Sequence, residues 1–161
     1  MIIRPAESPA DVAAVRELWL EYWESVGLPM DFQGFGEERI GLPGVYGASG
    51  GALLLAVDND QPAGTIALRR LDQISGEVKR LYLRPQYRGQ GVAKRLLEAV
   101  IERAGALQYE WLYADTLPSM KEALRLYAGV GFEKAEAYSH TPTPGAIYLK
   151  MRLVKPNARP T

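Results

Sequence analysis

Glu77 to Ala104 reads EVKRLYLRPQYRGQGVAKRLLEAVIERA, and the fold follows from how this stretch changes character along its length. It starts as a strand from Glu77 to Leu83, crosses a loop holding Gly89 and Gly91, and continues as an amphipathic helix with apolar residues at Val92, Leu96, Leu97, Val100 and Ile101. That order builds an anion site. A glycine loop lets backbone N–H groups turn inward with no Cβ in the way, and the helix behind it adds the positive end of its dipole. A phosphate is the natural ligand.

Such a loop has several readings. A P-loop ends in Gly-Lys-Ser or Gly-Lys-Thr, whereas Gly91 is followed by Val92, Ala93 and Lys94, with no hydroxyl for magnesium. A dinucleotide fingerprint needs a third Gly or Ala where this chain has Lys94, although Glu110 lies about 20 residues on, where a ribose-binding acid would stand. The bland alternative is a tight connection that binds nothing.

Two segments favour another family. Arg88-Gly89-Gln90-Gly91-Val92-Ala93 resembles the acyl-CoA pyrophosphate loop, Gln/Arg-x-x-Gly-x-Gly/Ala, of the GNAT (Gcn5-related) N-acetyltransferases. Ala123-Leu124-Arg125-Leu126-Tyr127-Ala128-Gly129-Val130-Gly131-Phe132 is similar to that family's A-x-x-L-Y-x-x-x-G-F segment and follows at the usual separation. The resemblance implies an α/β fold, in the order β-α-(α)-β-β-β-α-β-α-β-β, with a mixed, mostly antiparallel twisted sheet and helices on both faces. Its fourth and fifth strands are parallel and splayed, so that a pantetheine arm can pair with exposed backbone, a contact that needs no particular side chain.

The resemblance also assigns candidate roles. Leu81, Tyr82 and Leu83 would offer backbone groups to the pantetheine, Arg88, Gly89, Gln90, Gly91, Val92 and Ala93 would hold the pyrophosphate, and Ala123 would flank the donor. Many members carry an asparagine where this chain has Met120, so its contact would pass to Thr116 or Ser119. Acyl transfer requires a neutral amine and is helped by a proton donor at the leaving sulfur. Tyr127 matches the family's general acid and Glu77 its general base, with a backbone N–H near Leu81 to Leu83 polarising the thioester oxygen. A glutamate at a strand edge is otherwise simply solvated. The implied donor is acetyl-CoA, the acceptor a small-molecule or peptide amine, with no metal. A homodimer through the C-terminal strands is common in the family. The alternative from another class is an acyl-CoA sensor of the same fold without turnover.

The bulk properties suit one domain over residues 1–154. The 161 residues can bury a core without staples, there are no cysteines, and formal net charge is zero. Near-neutral charge argues against a nucleic-acid partner, and the cluster Arg69, Arg70, Lys79, Arg80, Arg84, Arg88, Lys94 and Arg95 lacks the aromatic interleaving of a single-strand binder. The N-terminus has no apolar leader and no stretch has the length of a membrane span, so a cytoplasmic protein with no membrane partner is expected.

Residues 2–5 read as an edge strand because Pro5 donates no ladder bond. Ser8-Pro9-Ala10-Asp11 opens a helix to Val26, with Asp11 closing a capping box, an apolar stripe of Val12, Val15, Trp19, Tyr22, Trp23 and Val26, and Gly27 as stop. Its aromatics are core, with one or two available to line an acceptor pocket. Residues 28–51 hold one short helix near Gly36 to Ile40. The resemblance makes this segment part of the acceptor wall, through Phe32, Gln33 and Tyr46, unless those aromatics tuck into the core. A hairpin follows, with strands at Ala52 to Val57 and Gly64 to Leu71 around a turn from Asp58 to Pro62. Further strands are expected at Tyr109 to Ala114, Phe132 to Ala137 and Ala146 to Leu153, with a helix capped by Ser119 and Glu122. His140, in a proline-containing loop near the expected acceptor side, is either an exposed side chain or an alternative to Glu77 as general base, and Tyr138 and Tyr148 could reach the same pocket or simply pack. Residues 155–161 form a polar tail expected to be disordered.

Overall fold

The computed structural model describes residues 1–27, 34–47, 49–138 and 145–153. Phe32, Gln33, His140 and the tail 155–161 lie outside them.

The N-terminal strand β1 (Ile2–Pro5) leads into α1 (Pro9–Val26), α2 (Phe35–Ile40) and the antiparallel strands β2 (Ala52–Asp58), β3 (Gln61–Arg70) and β4 (Ser75–Leu83). Helix α3 (Val92–Ala106), β5 (Trp111–Thr116), α4 (Lys121–Val130), β6 (Glu133–Lys134) and β7 (Ile147–Arg152) complete the chain. One seven-stranded sheet results, in the order β1-β2-β3-β4-β5-β7-β6, with β4 and β5 parallel and every other pairing antiparallel. The expected α/β architecture is therefore the observed one, and β1 lies at a sheet edge as Pro5 suggests.

Several boundaries differ, each for a local reason. Asn59 and Asp60 both take positive φ, 47° and 68°, so the turn needs only two residues and β3 starts at Gln61 instead of Gly64. Tyr109 is not in β5. Its N–H donates to the Ala104 carbonyl and its hydroxyl to the Gly50 carbonyl, which ties off α3 before the strand begins at Trp111. Ser8 does cap α1 through its hydroxyl, but the Asp11 carboxylate turns away to Arg4 at 2.9 Å, leaving half a capping box. Leu18 joins the buried stripe while Tyr22 and Val26 stay half-buried. Ser119 does not cap α4. A turn from Met120 N to Leu117 O places Met120 at that position with no side-chain cap. Strand β6 shrinks to two residues at the far edge.

Two cores form, one on each face of the sheet. Alternation divides β2 between them, with Leu53, Leu55 and Val57 facing α1 and Ala52, Leu54 and Ala56 facing α3, which is why this strand reads as continuously apolar. Helix α1 lies over β3 and β4, whereas β5 is buried on one face only. Among the described residues no helix is long and apolar enough to cross a membrane.

Candidate active site

The site starts where β4 and β5 stop pairing. Their ladder runs from Ser75↔Trp111 to Val78↔Ala114 and ends there, so beyond Val78 the backbone of β4 keeps β3 as its only strand partner. A bulge sharpens the departure. Between Ala67↔Lys79 and Thr65↔Tyr82, β4 carries one residue more than β3, and Arg80 takes φ 59°.

Arg80 holds this bulge from the side-chain end. Its guanidinium lies 5.0 Å from the ring centroids of Trp23 and Phe35 and 5.6 Å from Trp19, and Trp23 and Phe35 stack at 3.9 Å. Glu38 on α2 pairs with Arg80 at 3.5 Å and accepts a hydrogen bond from Tyr46 at 2.6 Å. The bulge is thereby tied to both α1 and α2.

The glycine loop closes the other side. Gly89 and Gly91 have φ 77° and 80°, and a Cβ at either would meet nothing, so backbone conformation, not crowding, demands glycine here. The first bond into α3 runs from Arg95 N to Gly91 O, so the N–H groups of Val92, Ala93 and Lys94 precede the helical ladder, and no side chain caps them. No acidic residue stands in that first turn to compete for an anion.

Between the loop, the parted strand and α4 lies a cavity of about 710 Å³, within the usual size of a small-molecule site. Leu81, Tyr82, Leu83, Arg88, Gly89, Gly91, Val92, Ala93, Ser119 and Ala123 line it, so the structure gathers most of the predicted donor residues around one space. Tyr22, Met120 and Leu126 line it as well. Arg88 directs its guanidinium back to the Leu83 carbonyl at 2.9 and 3.0 Å, fixing the end of β4. Gln90 donates to the Gln86 carbonyl, and the Thr116 hydroxyl to the Met120 sulfur at 3.4 Å, and neither side chain lines the cavity.

Tyr127 is 4% exposed and packs edge-on against Phe132. Burial pushes its phenol well above the usual value, and Tyr22 and the Asp115 carboxylate push it in the same direction. Glu77 does not open β4, which starts two positions earlier at Ser75. It is 5% exposed and lies 3.6 Å from Arg69 and 3.8 Å from Lys79. Tyr46 is buried against Trp19, with its phenol raised first by burial and then by Glu38, and it does not line the cavity beside the glycine loop.

Asp115 is a feature that residue-by-residue reading passes over. It stands one residue past the last β4–β5 pair, half-buried, and its field reaches the phenols of Tyr22, Tyr127, Tyr138 and Tyr148. The only sequence signal is its place in an alternating strand whose other face is apolar, and recognising it requires the register of β7. A second cavity of about 600 Å³ opens nearby between Tyr113, Tyr138, Lys134 and Lys150. Among the described residues no group of His, Asp or Glu side chains could hold a metal ion.

The sequence profile of the acetyltransferase (GNAT) family matches residues 12–132. An uncharacterised N-acetyltransferase of Schizosaccharomyces pombe is 31% identical over 155 residues, 95% of this chain and 95% of its own. Among solved structures, a GNAT-family acetyltransferase from Staphylococcus aureus Mu50 superposes with a TM-score of 0.81 at 22% identity, over 95% of this chain and 99% of that one. An aminoglycoside 6′-N-acetyltransferase complexed with coenzyme A does so with a TM-score of 0.74 at 15% identity, over the full length of both chains.

Proposed function

Because this chain belongs to the acetyltransferase (GNAT) family, we propose that it moves an acetyl group from acetyl-CoA to an amine by direct transfer, with both substrates bound together. The observation that carries the reading is the junction of the uncapped α3 N-terminus with the unpaired edge of β4, in one cavity large enough for a donor arm. The structurally similar aminoglycoside acetyltransferase, which is a coenzyme A complex, supports the choice of donor.

In this reading the N–H groups of Val92, Ala93 and Lys94 bind the pyrophosphate, and the backbone of Leu81 to Leu83 pairs with the pantetheine and polarises the thioester oxygen. The amine nitrogen forms a bond to the acetyl carbon as the carbon–sulfur bond breaks, and the nitrogen loses a proton. Glu77, beside the point where the strands part, takes that proton through water. Tyr127, like any phenol, is protonated at neutral pH, and burial makes it harder still to ionise. A thiol of the cysteine type titrates at about 8.5, far below such a phenol. Tyr127 therefore stabilises the departing thiolate by donating a hydrogen bond more than by giving up its proton.

Thiol release from acetyl-CoA, followed with a thiol reagent across amino acids, peptide N-termini, alkylamines and aminoglycosides, tests the proposal. The chain has no cysteine to add background. Acceptor-dependent release is expected. No release with any acceptor, together with a CoA-induced rise in Tm, would make the protein a binder of the donor and not a transferase.

A further inference from the structure

The sheet face that α1 leaves uncovered carries a second arrangement of groups. On β5, Leu112 and Ala114 face the α3 side, while Trp111, Tyr113 and Asp115 face the other. Register sets Asp115 opposite Tyr148 and Tyr113 opposite Lys150 on β7, and Glu77 opposite Tyr113 on β4. Tyr138 closes the group, its ring centroid 5.2 Å from Tyr148 and 5.1 Å from Tyr113, both edge-on. The Tyr148 hydroxyl is buried with no hydrogen-bond partner among the described residues, and Tyr148 as a whole is only 8% exposed; the Tyr138 hydroxyl is buried close to the Glu77 carboxylate without a hydrogen bond of good geometry to it.

A buried hydroxyl left unpaired costs about 1–3 kcal/mol, so that of Tyr148 points to a ligand that completes it. Charge selects the ligand. Glu77 already has Arg69 and Lys79 within 3.8 Å. Asp115 has no ion pair among the described residues. One uncompensated carboxylate beside phenol oxygens and aromatic rings is a receptor for one ammonium, which it meets by charge, by N–H donation to the hydroxyls and by ring faces. Beyond it Arg69 and Lys79 are matched by Glu77, Glu133 stands opposite Lys150 on β6, and Glu136 lines the cavity beside Tyr138.

We propose that Asp115, with Tyr138 and Tyr148, docks the ammonium group of an aliphatic-amine acceptor. This rests on the acetyl-transfer reading and deepens it by naming the residues that dock the acceptor. The electrostatics agree, since the phenols of Tyr138 and Tyr148 are raised first by burial and then by the carboxylates of Glu77 and Asp115.

The test uses calorimetric titration of the whole protein with n-butylammonium and its neutral isostere n-butanol. The wild type should prefer n-butylammonium to n-butanol at least tenfold. Asp115→Asn should abolish the preference for the cation with the CoA-induced rise in Tm unchanged. Tyr148→Phe deletes an unpaired buried hydroxyl, so it should raise Tm while weakening n-butylammonium several-fold. Unchanged binding by Asp115→Asn or a fall in Tm for Tyr148→Phe would each overturn the assignment. Where turnover is seen, Asp115→Asn should raise the acceptor KM at least tenfold with the KM for acetyl-CoA unchanged, and an unchanged acceptor KM would sink it. Binding of n-butylammonium through Asp115 with no thiol release would uphold the docking site and overturn the transferase reading instead.

Discussion

Replacing Arg80 by alanine and by glycine separates two contributions that one side chain makes to this fold. The alanine variant loses the stack on Trp19, Trp23 and Phe35 and the ion pair with Glu38. A desolvated cation over aromatic rings contributes about 2 kcal/mol. Glu38 keeps some solvent and its Tyr46 hydroxyl, so losing the pair adds about 1 kcal/mol, short of the figure for a fully buried charge. Arg80→Ala should therefore cost about 3 kcal/mol. Glycine deletes the same contacts but relieves the φ of 59°, worth about 1–2 kcal/mol for an L-residue in the left-handed region. It gives back about 0.5–1 kcal/mol through unfolded-chain entropy. Arg80→Gly should thus be the more stable variant by roughly 0.5–1 kcal/mol. Urea unfolding followed by tryptophan fluorescence reads this directly, because Trp19 and Trp23 form the cage. Losses below about 1 kcal/mol in both variants would refute the cage energetics, and an alanine variant as stable as glycine would refute the bulge geometry.

Other expectations follow from the same geometry. Gly91→Ala places a Cβ at φ 80° and should weaken CoA binding by about fivefold or more, the equivalent of about 1 kcal/mol of backbone strain; Gly105→Ala, with open space inside the same helix, should leave CoA binding intact and stabilise the protein by roughly 0.5–1 kcal/mol. Tyr127→Phe should lower kcat by about 100-fold, the low end for removing one preorganised hydrogen-bond donor to developing negative charge, with the KM for acetyl-CoA little changed. The phenols of Tyr109, Tyr127 and Tyr138 are raised by burial above their ordinary value of 10.0. Above that pH the unfolded chain loses protons that the folded one keeps, so stability is fully present below about pH 10 and falls as pH rises beyond it. Ultraviolet titration should then show at least three of the nine tyrosines ionising only together with unfolding, and ionisation of all nine in the intact fold near pH 10 would contradict the burial.

What the sequence discloses depends on whether a structural demand restricts the residue type. Gly89 and Gly91 are legible because positive φ selects glycine, and the helix behind them announces itself by its period. Arg80 meets the same backbone demand with a residue that reads as one more surface cation, since the cage around it is assembled from α1, α2 and β4. Asp115 is hidden for a related reason. Alone it is an acid on an alternating strand, and it becomes notable only when register puts Tyr148 beside it and pairing with β4 ends one residue before it. The Ser119 cap shows the opposite failure. The spacing from Ser119 to Glu122 fits a capping box, but the turn from Leu117 to Met120 moves the helix start one residue on.

The end of β4–β5 pairing accounts for both halves of the site. A parallel ladder continued past Val78 and Ala114 would satisfy the backbone of β4 and leave the donor nothing to pair with. It would also pair Asp115 with β4 as well as β7 and close the gap through which the Tyr127 phenol, from the α3–α4 side, comes within the field of Asp115 and of Tyr22 on α1. The bulge at Arg80 is what makes the separation hold. One extra residue in β4 turns the strand away from its former line, and the cage on α1 and α2 prevents it from relaxing back. Catalysis in this reading depends on bringing a thioester and an ammonium together from opposite layers of one sheet. The fold meets that need by interrupting its own hydrogen bonding at a single point, and Arg80 stabilises the interruption without entering the donor cavity.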